Sequence, residues 1–179
     1  MKKTIIVLVM VALCATVFAS VRVGANVTLG APFGTLSSYI EEEDYEAIKE
    51  EALKNSEITA KAELDVFCIN LGAEGGVWIQ GKEITPILKA YGGIKTTVLG
   101  FIEIGAGAGY RFVFTKDGNY EKGLYWRVSG GVKIGSLSLE AVASLPVEIK
   151  TQEDLENAFN FGSNLNSVQL GVGLGIKIK

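Results

Sequence analysis

The segment 167–179 alternates between apolar and small or polar side chains without interruption. Successive side chains of a β-strand point to opposite faces, so a period of two over this length predicts a long strand with one apolar face. The apolar positions are Val168, Leu170, Val172, Leu174, Ile176 and Ile178, and glycine fills three of the positions between them, Gly171, Gly173 and Gly175.

The same alternation recurs along most of the chain and predicts eight strands. Short connections at 67–68, 99–100 and 135–136 alternate with longer ones, and the connection at 81–86 has an intermediate length. Short turns at one end and long loops at the other are typical of an antiparallel membrane barrel. We therefore predict an all-β fold, an eight-stranded antiparallel up-and-down transmembrane β-barrel with strands at 20–30, 58–66, 69–80, 87–98, 102–114, 124–134, 137–149 and 167–179.

The N-terminus has the pattern of a secretory signal peptide. Lys2 and Lys3 precede an apolar run over 5–18 that is too short to span a bilayer comfortably, and Ala19 suits the cleavage position. We expect a signal peptide at 1–19, cleaved before Ser20, and export to the bacterial outer membrane. The transmembrane barrel then covers 20–179, with a loop insertion at 31–56.

The first long loop contains a predicted helix. Ser38 followed by Glu41 matches a capping box, and 39–54 is rich in strong helix formers. A second, shorter helix is predicted at 152–159 in the last loop.

Alternation alone does not say which face of the barrel points inward. Glycine crowds the polar face, which suits the narrow interior of an eight-stranded barrel better than a surface in water. Aromatic residues near the strand ends indicate the interfacial girdles of a membrane barrel. A soluble, lipocalin-like exported barrel that binds an apolar ligand inside remains an alternative. The predicted girdle consists of Tyr110, Phe112, Phe114, Tyr125, Trp126, Phe67 and Phe101.

Charged residues on the polar face predict a charge network in the lumen. The turns place Lys61 opposite Glu74, and make Lys95 a diagonal neighbour of Glu103 and Lys133 a diagonal neighbour of Glu140, within reach across a ladder. Arg111 and Arg127 are expected to face each other near the outer rim. The network either closes the bore as a plug or lines a narrow channel for ions or small solutes, and its predicted members are Arg22, Lys61, Glu63, Asp65, Glu74, Lys95, Glu103, Arg111, Arg127, Lys133 and Glu140.

Composition argues against several classes of function. The chain has no histidine, the usual general base of hydrolases and acyl transferases, so we do not expect an enzyme. The acids at 41–44 do not have the spacing of a Ca²⁺ loop, and we expect neither a metal nor a cofactor. With 17 basic and 20 acidic residues, the chain has no excess of positive charge and no nucleic-acid signal.

Strand number, loop alternation and period-two patterning make the chain resemble the small eight-stranded outer-membrane barrels, a group that includes OmpX and the transmembrane domain of OmpA. This resemblance is architectural and rests on no diagnostic motif. Our leading hypothesis is a structural protein embedded in outer-membrane lipid, with surface loops that contact the envelope or an unidentified partner.

Overall fold

The computed structural model describes residues 19–116, 120–147 and 165–178. The predicted signal peptide lies outside these residues except for Ala19, which begins the first strand. The predicted helix at 152–159 also lies outside them.

Eight antiparallel strands form a closed barrel, which confirms the predicted fold class. Each strand pairs with its neighbours in the chain, and β1 closes the barrel by pairing with β8, with Val23 opposite Ile176. Closure leaves no free sheet edge along these ladders. The strands are β1 (Ala19–Pro32), β2 (Glu57–Val66), β3 (Ile69–Gln80), β4 (Glu83–Val98), β5 (Ile102–Phe114), β6 (Tyr120–Ile134), β7 (Leu137–Val147) and β8 (Gln169–Ile178).

Tight turns at one end set the register of three hairpins. Val66 pairs with Ile69, Val98 with Ile102, and Ile134 with Leu137, as predicted. Phe67, Leu99 and Gly135 have φ of 55°, 54° and 63°. Such left-handed residues match the right-handed twist of the flanking strands. We call this end of the barrel the turn end and the opposite end the loop end.

The predicted intermediate connection at 81–86 is wrong. β3 and β4 pair up to Gln80 and Glu83, so only Gly81 and Lys82 form the turn. Pro86 lies inside β4 opposite Val77, whereas the β4–β5 ladder begins only at Ile87. This part of β4 is therefore a strand edge, where the missing N–H of proline is tolerated.

Two helices replace the single helix predicted at 39–54. They are α1 (Phe33–Glu41) and α2 (Tyr45–Lys54), and Glu43 between them has φ of 57°. The predicted capping box is also wrong. Ser38 lies within α1 and its Oγ donates to the carbonyl of Thr35 at 2.9 Å, whereas Asp44 caps α2 by accepting from the Ala47 N–H at 3.0 Å.

The two helices pack beside the loop end of β1. Leu36 of α1 and Ala52 of α2 are buried with Ala31 of β1 in a small apolar cluster. The Trp78 Nε1 donates to the Asn55 carbonyl at 3.0 Å, which attaches the end of α2 to β3. In the part of the chain that is described, neither helix is long and apolar enough to cross a bilayer.

The barrel is apolar outside and polar inside. On β1, Val21 and Val23 point outward and are 40% and 39% exposed, whereas Arg22 between them is only 3% exposed. On β8, Val172, Leu174, Ile176 and Ile178 are all about half exposed. The soluble carrier alternative requires these apolar positions to line the interior, and they lie outside.

Candidate functional site

Twelve charged side chains from β1–β7 form ion pairs inside the barrel, and we call this set the lumen network. It contains equal numbers of cations and acids, so these residues together carry no net charge. The cations are Arg22, Lys61, Lys89, Lys95, Arg111 and Arg127, and the acids are Glu57, Glu63, Asp65, Glu74, Glu103 and Glu140.

Arg22 and Glu103 form the pair nearest the turn end. The two terminal guanidinium nitrogens of Arg22 donate to the two carboxylate oxygens of Glu103 at 2.9 and 2.7 Å. Glu63 and Asp65 lie within 3.7 Å of the same guanidinium. This paired geometry fixes the planar guanidinium in orientation as well as in charge.

The Glu140 carboxylate on β7 accepts hydrogen bonds from three cationic side chains in the middle of the bore. Lys61 Nζ donates to it at 2.6 Å, Lys95 Nζ at 3.1 Å and Arg127 at 3.2 Å. Lys95 also donates to Glu63 at 3.4 Å. Each of these five side chains is less than a tenth exposed, so the pairs form with little water between them.

Glu74 accepts three hydrogen bonds in the next layer towards the loop end. Arg127 and Asn26 donate to its Oε1 at 2.8 and 2.6 Å, and Thr59 donates to its Oε2 at 3.0 Å. A buried carboxylate is costly unless such donors satisfy its oxygens. Glu74 is 2% exposed and meets that condition.

Glu57 holds the pairs nearest the loop end. Lys89 and Arg111 both form ion pairs with its carboxylate, Arg111 at 2.6 Å. The Arg111 guanidinium also lies 4.5 Å from the ring centre of Trp78. Trp78 also donates to the Asn55 carbonyl. The cation–π contact therefore connects the lumen network, through Trp78, to the end of α2.

The structure corrects the predicted pairings within the network. Lys61 is opposite Glu74 in the β2–β3 register, yet its ammonium binds Glu140. Lys95 binds Glu63 and Glu140 instead of Glu103. The bore of an eight-stranded barrel is narrow, so a long side chain reaches acids across it as easily as acids along its own ladder.

Arg111 and Arg127 do not face each other, contrary to the prediction. The backbone partners of these two residues in the β5–β6 ladder are Gly123 and Gly107 respectively. They bind different acids, Arg111 binding Glu57. They therefore do not form a shared anion site.

Lys133 is the one predicted member that the structure leaves outside the network. Among the described residues it has no acidic partner, and the predicted pair with Glu140 is wrong, because Glu140 binds Lys61, Lys95 and Arg127. Lys133 instead lines a cavity at the turn end.

The sequence prediction omits several interior residues. Glu57 is one of them, because the predicted β2 begins one residue later, at Ile58. Lys89 occupies a polar-face position of β4, so the period-two pattern alone could have identified it. Asn26 and Thr59 also occupy polar-face positions, but they carry no charge that would assign them to a charge network.

The predicted aromatic girdle requires two corrections. Tyr125 points into the bore, is 5% exposed, and lines a void together with Glu74 and Arg127. The period-two pattern explains this, because Trp126 occupies the neighbouring outward position. Trp126 lies in the middle of β6 and is partly buried. The other five lie near strand ends or in the turns, with Phe112 partly buried and Tyr110, Phe114, Phe67 and Phe101 exposed.

Glycines make room for two inward-pointing tyrosine rings. A Cβ at Gly72 would lie 2.2 Å from Cζ of Tyr91, and one at Gly109 would lie 2.8 Å from Cζ of Tyr125. The Tyr91 hydroxyl donates to Glu63 at 2.8 Å, and its ring lies 4.3 Å from the Arg127 guanidinium. The glycines thus allow the network to include aromatic side chains.

Two of the cavities along the bore are voids of about 10 Å³, each the size of about one water molecule. A larger cavity of about 190 Å³ lies at the turn end. Within the described ranges no group of three or more histidine, cysteine or acidic residues has a geometry suited to a metal ion.

Comparisons with known proteins give a similarity in structure and none in family. No protein family model matches the chain, and no curated protein matches it. The barrel is similar to the solution NMR structure of the de novo designed protein TMB2.3, at 13% identity and a TM-score of 0.48, covering 90% of this chain and 95% of that one. This similarity concerns the barrel architecture and nothing finer.

Proposed function

We propose that this protein is an integral barrel of the bacterial outer membrane with a structural role. In this proposal the apolar outer face anchors the chain in lipid, and the lumen network acts as a polar core that closes the bore. The observation that carries the proposal is the sidedness of the barrel: apolar side chains outside and ion pairs inside. The proposal includes no catalytic step.

The outer face supports a bilayer environment on energetic grounds. Exposed apolar side chains recur on every strand, among them Leu64, Ile94, Ile104, Val128, Leu139 and Leu174. Monomeric soluble proteins rarely expose a contiguous apolar surface of more than a few hundred Å². In a bilayer the same surface contacts hydrocarbon instead of water, so its exposure carries no hydrophobic free-energy cost.

Strand length supports the same environment. β2 and β8 have 10 residues each. At about 3.3 Å per residue and a tilt of about 40°, ten residues span about 25 Å, the height of the apolar band of outer-membrane barrels. The longer strands β4 and β6 extend beyond this height at the loop end.

The lumen network favours a closed bore over a channel. A permeating ion would have to separate pairs such as Arg22 with Glu103 and Lys61 with Glu140, which lie across its path. Separating such a pair leaves two buried charges without their partners, which is energetically unfavourable. We therefore expect negligible conductance.

The helical loop is the proposed surface for envelope or partner contacts. Ile40, Tyr45 and Leu53 are 59%, 73% and 60% exposed, beside the acidic run at 41–44. Apolar and acidic side chains on this loop are therefore both accessible to a partner. The helices pack on β1, so they present this surface in a fixed position relative to the barrel.

Gel mobility and cell fractionation test the membrane assignment. The full precursor is expressed, and its outer-membrane fraction is run on a detergent gel unboiled and boiled. A band in that fraction that shifts on boiling is expected, because folded membrane barrels resist the detergent until heated. Recovery in the soluble fraction without a shift would refute the proposal.

Planar-bilayer recording tests the closed bore separately. The purified protein is expected to give no steps of ionic current above the baseline. Reproducible steps, unchanged by the exposed substitution Lys122→Gln but altered by Glu140→Gln, would instead favour the channel alternative.

A further inference from the structure

The turn end of the barrel contains a partly open cavity of about 190 Å³ with an excess of positive charge. Its charged lining consists of four cations and two acids: Arg22, Lys95, Lys133, Lys177, Asp65 and Glu103. The cavity is much larger than the one-water voids of the bore, so it has room for a small hydrated ion.

Two of the four cations are already neutralised. Arg22 is held by Glu103 through two hydrogen bonds, and Lys95 is held by Glu63 and Glu140. Asp65 accepts from Asn70 at 2.7 Å and lies 3.7 Å from Arg22. Among the described residues this leaves Lys133 and Lys177 without an acid.

Lys177 lies in an electrostatically unfavourable position. Its backbone partner in the β1–β8 ladder is Arg22, so two cations are directly opposite each other. Like charges at such positions are destabilising unless something else neutralises them. In addition, the Arg22 Nε is buried and has no hydrogen-bond partner among the described residues.

Hydroxyl groups and the Phe67 ring complete the lining of the cavity. Ser20, Thr96 and Thr97 border the same space. Hydroxyl and ammonium donors together, with no unpaired acid, suit a tetrahedral oxyanion, which accepts several hydrogen bonds and carries negative charge. A neutral ligand would leave the surplus positive charge uncompensated.

From this arrangement we propose that the turn-end cavity binds a small phosphate-class oxyanion, held by Lys133 and Lys177. The phosphate comes either from free solution or from a lipid headgroup at the barrel rim. Lys133 and Lys177 form no ion pair in the lumen network, so they are available to the anion. The network residues Arg22, Lys95 and Glu103 form the inner wall of the site.

The test is a titration of the purified protein in a phosphate-free maltoside detergent, followed by the ¹⁵N amide shifts of Lys133 and Lys177. Inorganic phosphate is added at constant ionic strength, with chloride as the compensating anion. We expect saturable shifts in the wild type. Lys133→Gln and Lys177→Gln should each weaken binding at least tenfold, and Lys122→Gln, an exposed position outside the cavity, should leave it unchanged.

Unboiled and boiled gel samples check that each variant is folded. If a glutamine variant does not fold, Lys133→Arg and Lys177→Arg keep the charge and are expected to retain binding. Shifts that never saturate, or equal binding by the wild type and the folded double glutamine variant, would overturn the proposal.

Lipid nanodiscs distinguish the two sources of phosphate. If phosphatidylglycerol discs, but not phosphatidylcholine discs, shift the same amides before phosphate is added, the ligand is an anionic headgroup. If both discs give the same spectrum and phosphate still binds, the ligand is the free oxyanion. Either result supports the site, whereas loss of phosphate binding in both discs contradicts it.

Discussion

The Arg22 guanidinium on β1 binds the Glu103 carboxylate on β5, four strands away around an eight-stranded barrel, through hydrogen bonds of 2.9 and 2.7 Å. The pair therefore bridges the bore across its diameter. Because each side chain is less than a tenth exposed, either one alone would be a buried charge with weakened compensation.

We predict that Arg22→Gln or Glu103→Gln lowers the free energy of unfolding by about 3–5 kcal/mol. The physical reason is that each substitution leaves a buried charge inside the barrel without its strongest partner. Urea unfolding in detergent, followed by tryptophan fluorescence, measures the change. Lys116→Gln, which breaks the exposed ion pair with Glu83, serves as the control and should have no measurable effect.

The double variant Arg22→Met with Glu103→Leu should recover most of the lost stability, because both charges are then removed together. Equal losses in the single and double variants would mean that the pair itself is not the source of the effect.

We predict that Gly72→Ala destabilises the barrel by about 1–3 kcal/mol through overpacking. The added Cβ would lie 2.2 Å from the Tyr91 ring and would displace its hydroxyl from Glu63. Thermal or urea unfolding measures the loss, and the Tyr91 side-chain NMR signals report the displacement. The matched control is Gly130→Ala on the outer face, where an added Cβ meets nothing within 4 Å. Equal effects at both positions would contradict the argument.

We predict a depth-dependent cost for arginine on the outer face of β8. Leu174→Arg, near the middle of the strand, should destabilise the protein in lipid by about 2–4 kcal/mol, and Ile178→Arg, at its end, by about 0–1 kcal/mol. Both positions are about half exposed, so packing alone predicts similar effects. Reversible unfolding from phospholipid vesicles measures the difference. If both substitutions cause the same small loss of stability, the barrel behaves as a barrel in water would, and the prediction is wrong.

We predict that Asp44→Ala loosens α2 without affecting the barrel. The substitution removes the hydrogen bond from the Ala47 N–H and should cost about 1 kcal/mol locally, which corresponds to about fivefold faster amide exchange in the first turn of α2. Ser38→Ala is the control, since the hydroxyl of Ser38 caps neither helix. Faster exchange in Ser38→Ala than in Asp44→Ala would restore the capping box predicted from the sequence.

The sequence by itself determined the strands, the barrel and the fact that most charged residues share one face of the sheet. Backbone geometry explains this success, because a period of two along a strand assigns each side chain to a face whatever its neighbours are. The same rule would have placed Tyr125 and Lys89 inside. Tight turns at 67–68, 99–100 and 135–136 then set the register of the hairpins.

Only the tertiary structure decided which face is inside and which charges meet. Lys61 lies opposite Glu74 in sequence register but binds Glu140, because closure of the barrel brings side chains from distant strands into one narrow space. The division of 33–54 into two helices also depends on a local competition, in which Asp44 and not Ser38 caps the second helix. Ladder register is a local property that a sequence pattern encodes, whereas contacts across a bore depend on the curvature of the whole sheet.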